Sequence, residues 1–264
     1  MGKILLPHLK CKGQPKEYKT IKIYTAELAD HPDFGMLSYN AVIQLAKEHG
    51  LKTPENNTFG IPEPGAIKSV KWLYLENNDD AIADNYLKNV TNLICGTLPI
   101  FRPQLDDKEI HVTEFSDYSW TLLVNAFELA QKGLTKQLKG KFKRYSLAID
   151  RFATSYKRED ELDAVLDCCS VIESLYGVGD ELRLRIALIT FQLFDREKDD
   201  YMKSIYELYG IRNNFIHGNT IPIVSISQIR KYQKIISDIL HIPLINSDFI
   251  DFNKINESIL EIKS

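Results

Sequence analysis

The sequence has no excess of positive charge, and this limits what the protein can bind. Its 33 lysines and arginines are outweighed by 36 aspartates and glutamates, giving a formal net charge of −3. Many nucleic-acid-binding proteins are strongly basic overall, so a general electrostatic attraction to RNA or DNA is excluded. Any contact with a nucleic acid must come from a local cluster of lysine and arginine.

Metal-ligand patterns and long apolar runs are also missing. The four cysteines include no CxxC pair, so we expect reduced thiols and no zinc site. Neither a glycine-rich phosphate loop nor a GxSxG segment occurs. No stretch approaches the roughly 18 apolar residues that span a bilayer, and the first residues lack a secretory cleavage signal. The sequence therefore predicts a cytoplasmic protein with no metal, no cofactor and no membrane association.

Proline distribution separates the chain into two halves, and the fold class that follows is α+β. Residues 1 to about 115 hold eight of the ten prolines, with strand-like runs near 19–28, 69–76 and 98–105 and helical runs near 38–50 and 80–94. We interpret residues 1–117 as a small α+β domain with a regulatory or substrate-selecting role. Residues 118–140 are predicted to form a linker helix, and residues 141–264 an all-α bundle.

Helical periodicity runs through the second half of the chain. It predicts helices near 142–157, 159–176, 181–195, 198–217 and 225–241, with a sixth at 247–262. The second has an apolar stripe formed by Leu162, Val165, Leu166, Cys169, Ile172 and Tyr176. Two charged residues, Glu173 and Arg185, fall on the apolar stripes of their helices. Buried charges are costly unless paired, so Glu173 is expected to pair with Arg185 or Arg212. The pair is either structural or a means of orienting Arg212 in a site.

The end of the fourth helix, IRNNFIHG, carries residues suited to chemistry. Tyr206, Asn213 and His217 fall on one face, whereas Arg212 and His217 diverge by about 140° at 100° per residue. They can converge on one phosphate only if the helix loosens near its end or if two copies of the segment face each other. Gly218 is a suitable terminator. On spacing alone, the usual interpretation is a histidine that only complements the helix dipole or is a satisfied polar group.

This segment resembles the Rx4-6H motif of the HEPN family. IRNNFIHG after ELYG is similar to the endings of the Apea-like branch, as are the upstream segments DAVLDCCSVIESLYG and ELRLRIALITFQLF. The similarity covers roughly residues 141–240. It implies a HEPN-like bundle and a metal-independent ribonuclease acting as a toxin or an anti-phage defence effector.

The resemblance also implies roles for single residues. His217 would be a general acid or base, Arg212 would bind the scissile phosphate, and Asn213 would orient one of them, with Glu173, Arg185 and Tyr206 in support. The ribose 2′-OH would attack the adjacent phosphorus, leaving a 2′,3′-cyclic phosphate. The family builds this site across a homodimer. The alternative is a non-catalytic dimerisation module that binds RNA or a nucleotide, and an antitoxin or a trigger ligand remains a possible partner.

A basic run provides the local positive charge that RNA binding requires. Residues 132–144 contain six basic residues and no acidic ones, and Lys139, Lys141, Lys143 and Arg144 are candidate phosphate contacts. A solvated helix between domains is the alternative. Trp72, Tyr74 and Phe101 can either stack on bases or fill the core of a small sheet.

Overall fold

The computed structural model describes residues 2–6, 9–10, 14–27, 71–96, 113–135, 138–176, 198–218 and 222–250. Within these residues the chain is mixed α and β and mostly helical, with six α-helices and a small antiparallel sheet. The predicted α+β class is confirmed at this level. The chain divides into two compact units, Met1–Phe127 and Glu128–Ser264.

The elements are numbered here in chain order. The strands are β1 (Gly2–Leu6), β2 (Leu9–Lys10), β3 (Lys16–Tyr18), β4 (Ile21–Glu27), β5 (Lys71–Asn77) and β6 (Thr113–Glu114). The helices are α1 (Asp84–Cys95), α2 (Asp117–Gly133), α3 (Lys139–Ser155), α4 (Glu161–Tyr176), α5 (Lys198–Ile216) and α6 (Ile226–Ile245), followed by a 3₁₀ turn at Ser247–Ile250.

The first unit is built on a four-stranded antiparallel sheet in the order β1-β5-β4-β3. Strand β4 pairs with β5 so that Ile23 lies opposite Leu75, and both are buried. On the other face of the sheet Tyr24 stacks on Tyr74 with 5.8 Å between ring centroids. Because Tyr74 is buried, the structure favours its interpretation as a core residue over base stacking. The side chain of Trp72 and the whole of Phe101 lie outside the described part of the chain.

Helix α2 begins as part of the first unit and does not act as a free linker there. Its Phe127 ring meets Tyr18 edge-on, and the carbonyl of Ala126 accepts a hydrogen bond from Tyr86 of α1. An ion pair joins Asp117 at its start to Lys16 of β3. The boundary between the units therefore falls inside α2. The helix ends at Gly133, and α3 starts at Lys139 within the segment predicted as the linker.

The second unit is organised around an antiparallel hairpin of α3 and α4. Asp167 of α4 is almost fully buried and binds Arg158 in the connecting turn, with Nε–Oδ2 and Nη2–Oδ1 distances of 2.6 and 3.3 Å. Arg151 of α3 adds an Nη1–Oδ1 contact at 3.6 Å. Helix α6 packs across the hairpin, where Tyr145 donates a 2.6 Å hydrogen bond to the carbonyl of Leu240. These links fix the register of the hairpin.

Most predicted elements within the described residues are present, with shifted ends. Helix α6 begins after Ser225, which forms a capping box with Gln228, and it continues four residues past the predicted end. Pro243 lies inside this helix and does not stop it, although proline has no N–H to bond to the carbonyl four residues back. Of the helix predicted at 247–262, the first four residues form the 3₁₀ turn instead, and residues 251–262 lie outside the described residues. Strand β1 was not predicted, since its run of only three large apolar residues lacks alternation.

Several other predictions are corrected or untested. The predicted stripe of α4 is partly wrong, because Leu162 and Leu166 are only half-buried while Ala164, Cys168 and Val171 face the core. The buried charge of α4 is Asp167, and Glu173 is only half-buried. The predicted elements at 38–50, 98–105 and 181–195 lie outside the described residues. Among the helices that are described, none is long and apolar enough to cross a bilayer.

Candidate active site at the end of helix α5

Helix α5 keeps regular α-helical geometry up to the predicted motif. The backbone N–H of His217 still bonds to the carbonyl of Asn213 at 3.0 Å, four residues back. Gly218 then adopts a positive φ of 66°, and its N–H bonds to the carbonyl of Phe215. Glycine takes this left-handed conformation without steric cost, so the predicted terminator is confirmed.

Arg212 is held by two oxygen atoms. Its Nη2 lies 3.5 Å from Oε1 of Glu173, and its Nη1 donates to Oδ1 of Asn213 at 3.2 Å. The predicted pairing of Glu173 with an arginine is present, and the partner is Arg212. The side chains of Arg212 and Glu173 are 30% and 28% exposed, so a ligand can reach the guanidinium. Arg185, the other predicted partner, lies outside the described residues.

His217 is exposed at the turn that follows α5. None of the hydrogen bonds or ion pairs found between described residues joins its side chain to that of Arg212. The regular backbone bond at His217 shows that the helix does not loosen before this residue. Of the two ways in which Arg212 and His217 could meet at one phosphate, local loosening is therefore excluded for this conformation, and the facing of two copies is left.

Tyr206 and Asn213 are half-buried on the α5 face that leads to His217. Their spacings of seven and four residues keep all three on one line, as predicted. The amide of Asn213 is oriented by its bond to Arg212. Of these three residues, Asn213 therefore forms a hydrogen bond with the guanidinium of Arg212, and His217 does not.

The thiols near the ion pair are unsuited to chemistry. Burial raises the pKa of Cys169 well above its ordinary value, and the nearby Glu173 carboxylate raises it further, while Arg212 lowers it. Burial likewise raises the pKa of Cys168 to about 12. Both remain protonated at neutral pH, and a protonated thiol is a poor nucleophile.

The predicted RNA-contacting residues lie on the first half of α3. Lys139, Lys143 and Arg144 are exposed, and Lys141 is half-buried. Because Arg151 of α3 meets Asp167 of α4, the antiparallel register sets the start of α3 beside the last turns of α4. Glu173 lies in those last turns, so the basic residues and the Glu173–Arg212 pair are at the same end of the hairpin.

Sequence reasoning missed an apolar surface beside the motif. Phe215, Ile216 and Ile223 are exposed, Ile223 almost completely. On the helical wheel Phe215 and Ile216 continue the face of α5 whose earlier members, such as Ile205, are buried. The sequence contains this information, because the apolar stripe of α5 continues for one turn past the residues that pack in the bundle.

Metal-ligand clusters and comparisons with known proteins give no further information about this site. In the described part of the chain no three histidine, cysteine or carboxylate side chains are grouped so as to hold a metal ion. No protein-family model matches the chain, and no curated protein or solved structure matches it. The HEPN resemblance therefore stays a prediction from the sequence segments alone.

Proposed function

We propose that the protein is a metal-independent endoribonuclease of the HEPN type, with its site at the end of α5. The observation that carries the proposal is a partly exposed guanidinium, held by Glu173 and Asn213, on the helix end that exposes His217. A guanidinium can bind two phosphate oxygens, and an imidazole titrates near neutral pH. RNA cleavage needs both properties.

The reaction requires one proton acceptor and one proton donor. The ribose 2′-oxygen forms a bond to phosphorus and gives up its proton, while the bond from phosphorus to the 5′-oxygen breaks and that oxygen gains a proton. The products are a 2′,3′-cyclic phosphate and a 5′-OH. His217 is the acceptor or the donor, water takes the other role, and Arg212 neutralises the charge that develops on the phosphoryl oxygens.

The active form that we propose is a homodimer. Since Arg212 and His217 diverge on one regular helix, a second copy must bring the complementary group to the same phosphate. The exposed side chains Phe215, Ile216 and Ile223 beside the motif offer an apolar contact for that copy. In this arrangement the residues around 141–264 form a HEPN-like bundle, and the cell uses the enzyme as a toxin or anti-phage effector.

The second candidate is a non-catalytic HEPN-like module that dimerises and binds RNA or a nucleotide. It is favoured by the ion pair itself, because Arg212 already has a carboxylate partner within its own subunit. In such a module the Arg212–Glu173 pair would serve stability alone.

The deciding experiment is RNA cleavage by the purified full-length chain in EDTA, with analysis of the product ends. His217→Ala is expected to lower the rate by about 10²- to 10⁴-fold, the usual contribution of a general acid or base. His241→Ala is the control, because His241 lies near the end of α6 and its ring bonds to the carbonyl of Ser237. Cyclic phosphate ends that disappear only in the His217 variant support the nuclease. Absence of cleavage by the wild-type chain contradicts it and favours the module.

A further inference from the structure

Three exposed cations on α3, namely Lys139, Lys143 and Arg144, form a surface that we call the basic face. None of them takes part in the ion pairs that join described residues. Other cations of the second unit behave differently, since Arg151 and Arg158 bind Asp167 and Lys231 binds Asp200. Among the described residues, the basic face is therefore a concentration of positive charge without a carboxylate partner.

The location of this charge works against the stability of α3. Basic side chains near a helix N-terminus oppose the helix dipole, which favours carboxylates there. The first turn of α3 contains no acidic residue, and its N-cap residue, Leu138, provides no side-chain hydrogen bond. Residues that destabilise a helix end without a compensating structural interaction are typical of a functional surface.

The basic face adjoins the candidate site. Arg151 and Asp167 fix the α3–α4 register, which sets the face beside the last turns of α4, where Glu173 holds Arg212. Asp150, further along α3, is the one carboxylate of that helix. Positive charge is thus concentrated toward the end where Arg212 lies.

The chemistry of the face fits a phosphate backbone better than a lipid surface. A helix that lies on a membrane buries a broad apolar face in the lipid. In α3 the large apolar side chains, such as Tyr145, Ile149 and Phe152, are buried in the bundle. Leu147 is the exception, and a single exposed leucine is normal for a protein surface.

We infer that the basic face binds the backbone phosphates of RNA outside the reacting nucleotide and guides the strand to Arg212. This inference rests on the proposed function and extends it to a second binding surface on the same subunit. Binding at the face is independent of base sequence, because phosphates carry no sequence information. It depends strongly on salt, because each contact releases counterions from the strand.

The test measures binding of a labelled 2′-O-methyl oligoribonucleotide, which 2′-OH attack cannot cleave, to the full-length chain over a series of salt concentrations. The test variant is Lys143→Glu with Arg144→Glu. The control is Lys203→Glu with Lys234→Glu, which makes the same charge change at exposed lysines of α5 and α6. The plot of log affinity against log salt has a negative slope. Loss of two phosphate contacts should make this slope shallower by about 1.4, at about 0.7 per contact for a single strand.

A second measurement separates binding from folding. Lys139→Glu introduces a carboxylate at the start of α3, so it should raise the melting temperature while weakening RNA binding. Opposite signs in these two readouts cannot result from a variant that has merely lost its fold. A lowered melting temperature together with weakened binding would contradict the inference.

Three other results would overturn it. These are equal weakening by the test and control variants, undiminished affinity in the test variant, and binding to phosphatidylserine vesicles in place of RNA. The nuclease proposal fails separately. Salt-dependent RNA binding through the face without any cleavage would support the inference and contradict the nuclease. Unchanged cleavage and binding by the Lys143 and Arg144 variant would support the nuclease and contradict the inference.

Discussion

Replacing Asp167 with asparagine tests how the α3–α4 hairpin is held together. The carboxylate is almost fully buried and accepts two hydrogen bonds from Arg158, with a longer contact to Arg151. Asparagine keeps the shape of the side chain and removes its charge. The variant therefore isolates the charged interaction from packing.

The expected loss can be estimated from the exposure of the partners. Removing one member of a fully buried ion pair costs about 3–5 kcal/mol, and a hydrogen bond to a charged group contributes about 1.5–3 kcal/mol. The side chains of Arg158 and Arg151 are 37% and 49% exposed, so both remain partly hydrated after the change. The lower range applies, and we expect Asp167→Asn to lower the free energy of unfolding by about 2 kcal/mol.

Urea unfolding followed by circular dichroism measures this loss. With a denaturant slope of about 2 kcal/mol per molar urea, the midpoint should fall by about 1 M. Asp200→Asn is the comparison, because Asp200 pairs with Lys231 at 3.0 Å on the exposed surface and should contribute less than about 1 kcal/mol. Equal midpoints for the two variants would refute the claim that burial makes the Asp167 cluster the stronger interaction.

Three further perturbations have expected signs. Gly133→Ala should lower stability by about 1–3 kcal/mol, because its Cβ would lie 2.3 Å from the ring of Phe142, whereas Gly140→Ala, with nothing within 4 Å, should raise the melting temperature. Burial raises the pKa of Cys168 from 9.0 to about 12, so the unfolded thiol ionises first and stability falls as pH rises from about 9 toward 12. Cys168→Ala should flatten this alkaline loss in pH-dependent melting scans. Glu173→Gln should lower RNA cleavage about tenfold or more through loss of guanidinium positioning, with melting almost unchanged.

Helix periodicity predicted the local features of the second unit. Spacing of apolar residues located the four described helices α3 to α6 within a few residues, and the left-handed Gly218 marked the end of α5. The Glu173–Arg212 contact was also expected, because a charge on an apolar stripe needs a partner. These predictions depend only on residues that are close in sequence and on the free-energy cost of burying an unpaired charge.

Features that depend on distant pairing could not be predicted. The four-stranded sheet joins β1 to β5 across about seventy residues, and no local pattern specifies that register. The burial of Asp167 was not predicted, since its arginine partners follow from the way the hairpin folds back. The close approach of Phe142 to Gly133, whose φ is not positive, is likewise a contact that no local pattern specifies.

The divergence of Arg212 and His217 makes a final prediction about the assembly of the site. If the two groups act on one phosphate from different chains, an Arg212→Ala subunit and a His217→Ala subunit can restore a working pair between them. Each variant alone has no complete pair. In a two-fold symmetric dimer that exchanges freely, equal mixing gives about half heterodimers with one restored pair each, or about a quarter of wild-type activity.

Cleavage assays on the separate and mixed variants, after unfolding and refolding together to exchange subunits, provide the measurement. Mixing His217→Ala with the double variant Arg212→Ala/His217→Ala is the control, because no mixed dimer then contains a complete pair. If Arg212 and His217 acted within one chain, the mixed dimers would contain no complete pair, and activity would stay at the level of the single variants. That result would require α5 to loosen before His217 during catalysis, against the regular backbone hydrogen bond between His217 and Asn213.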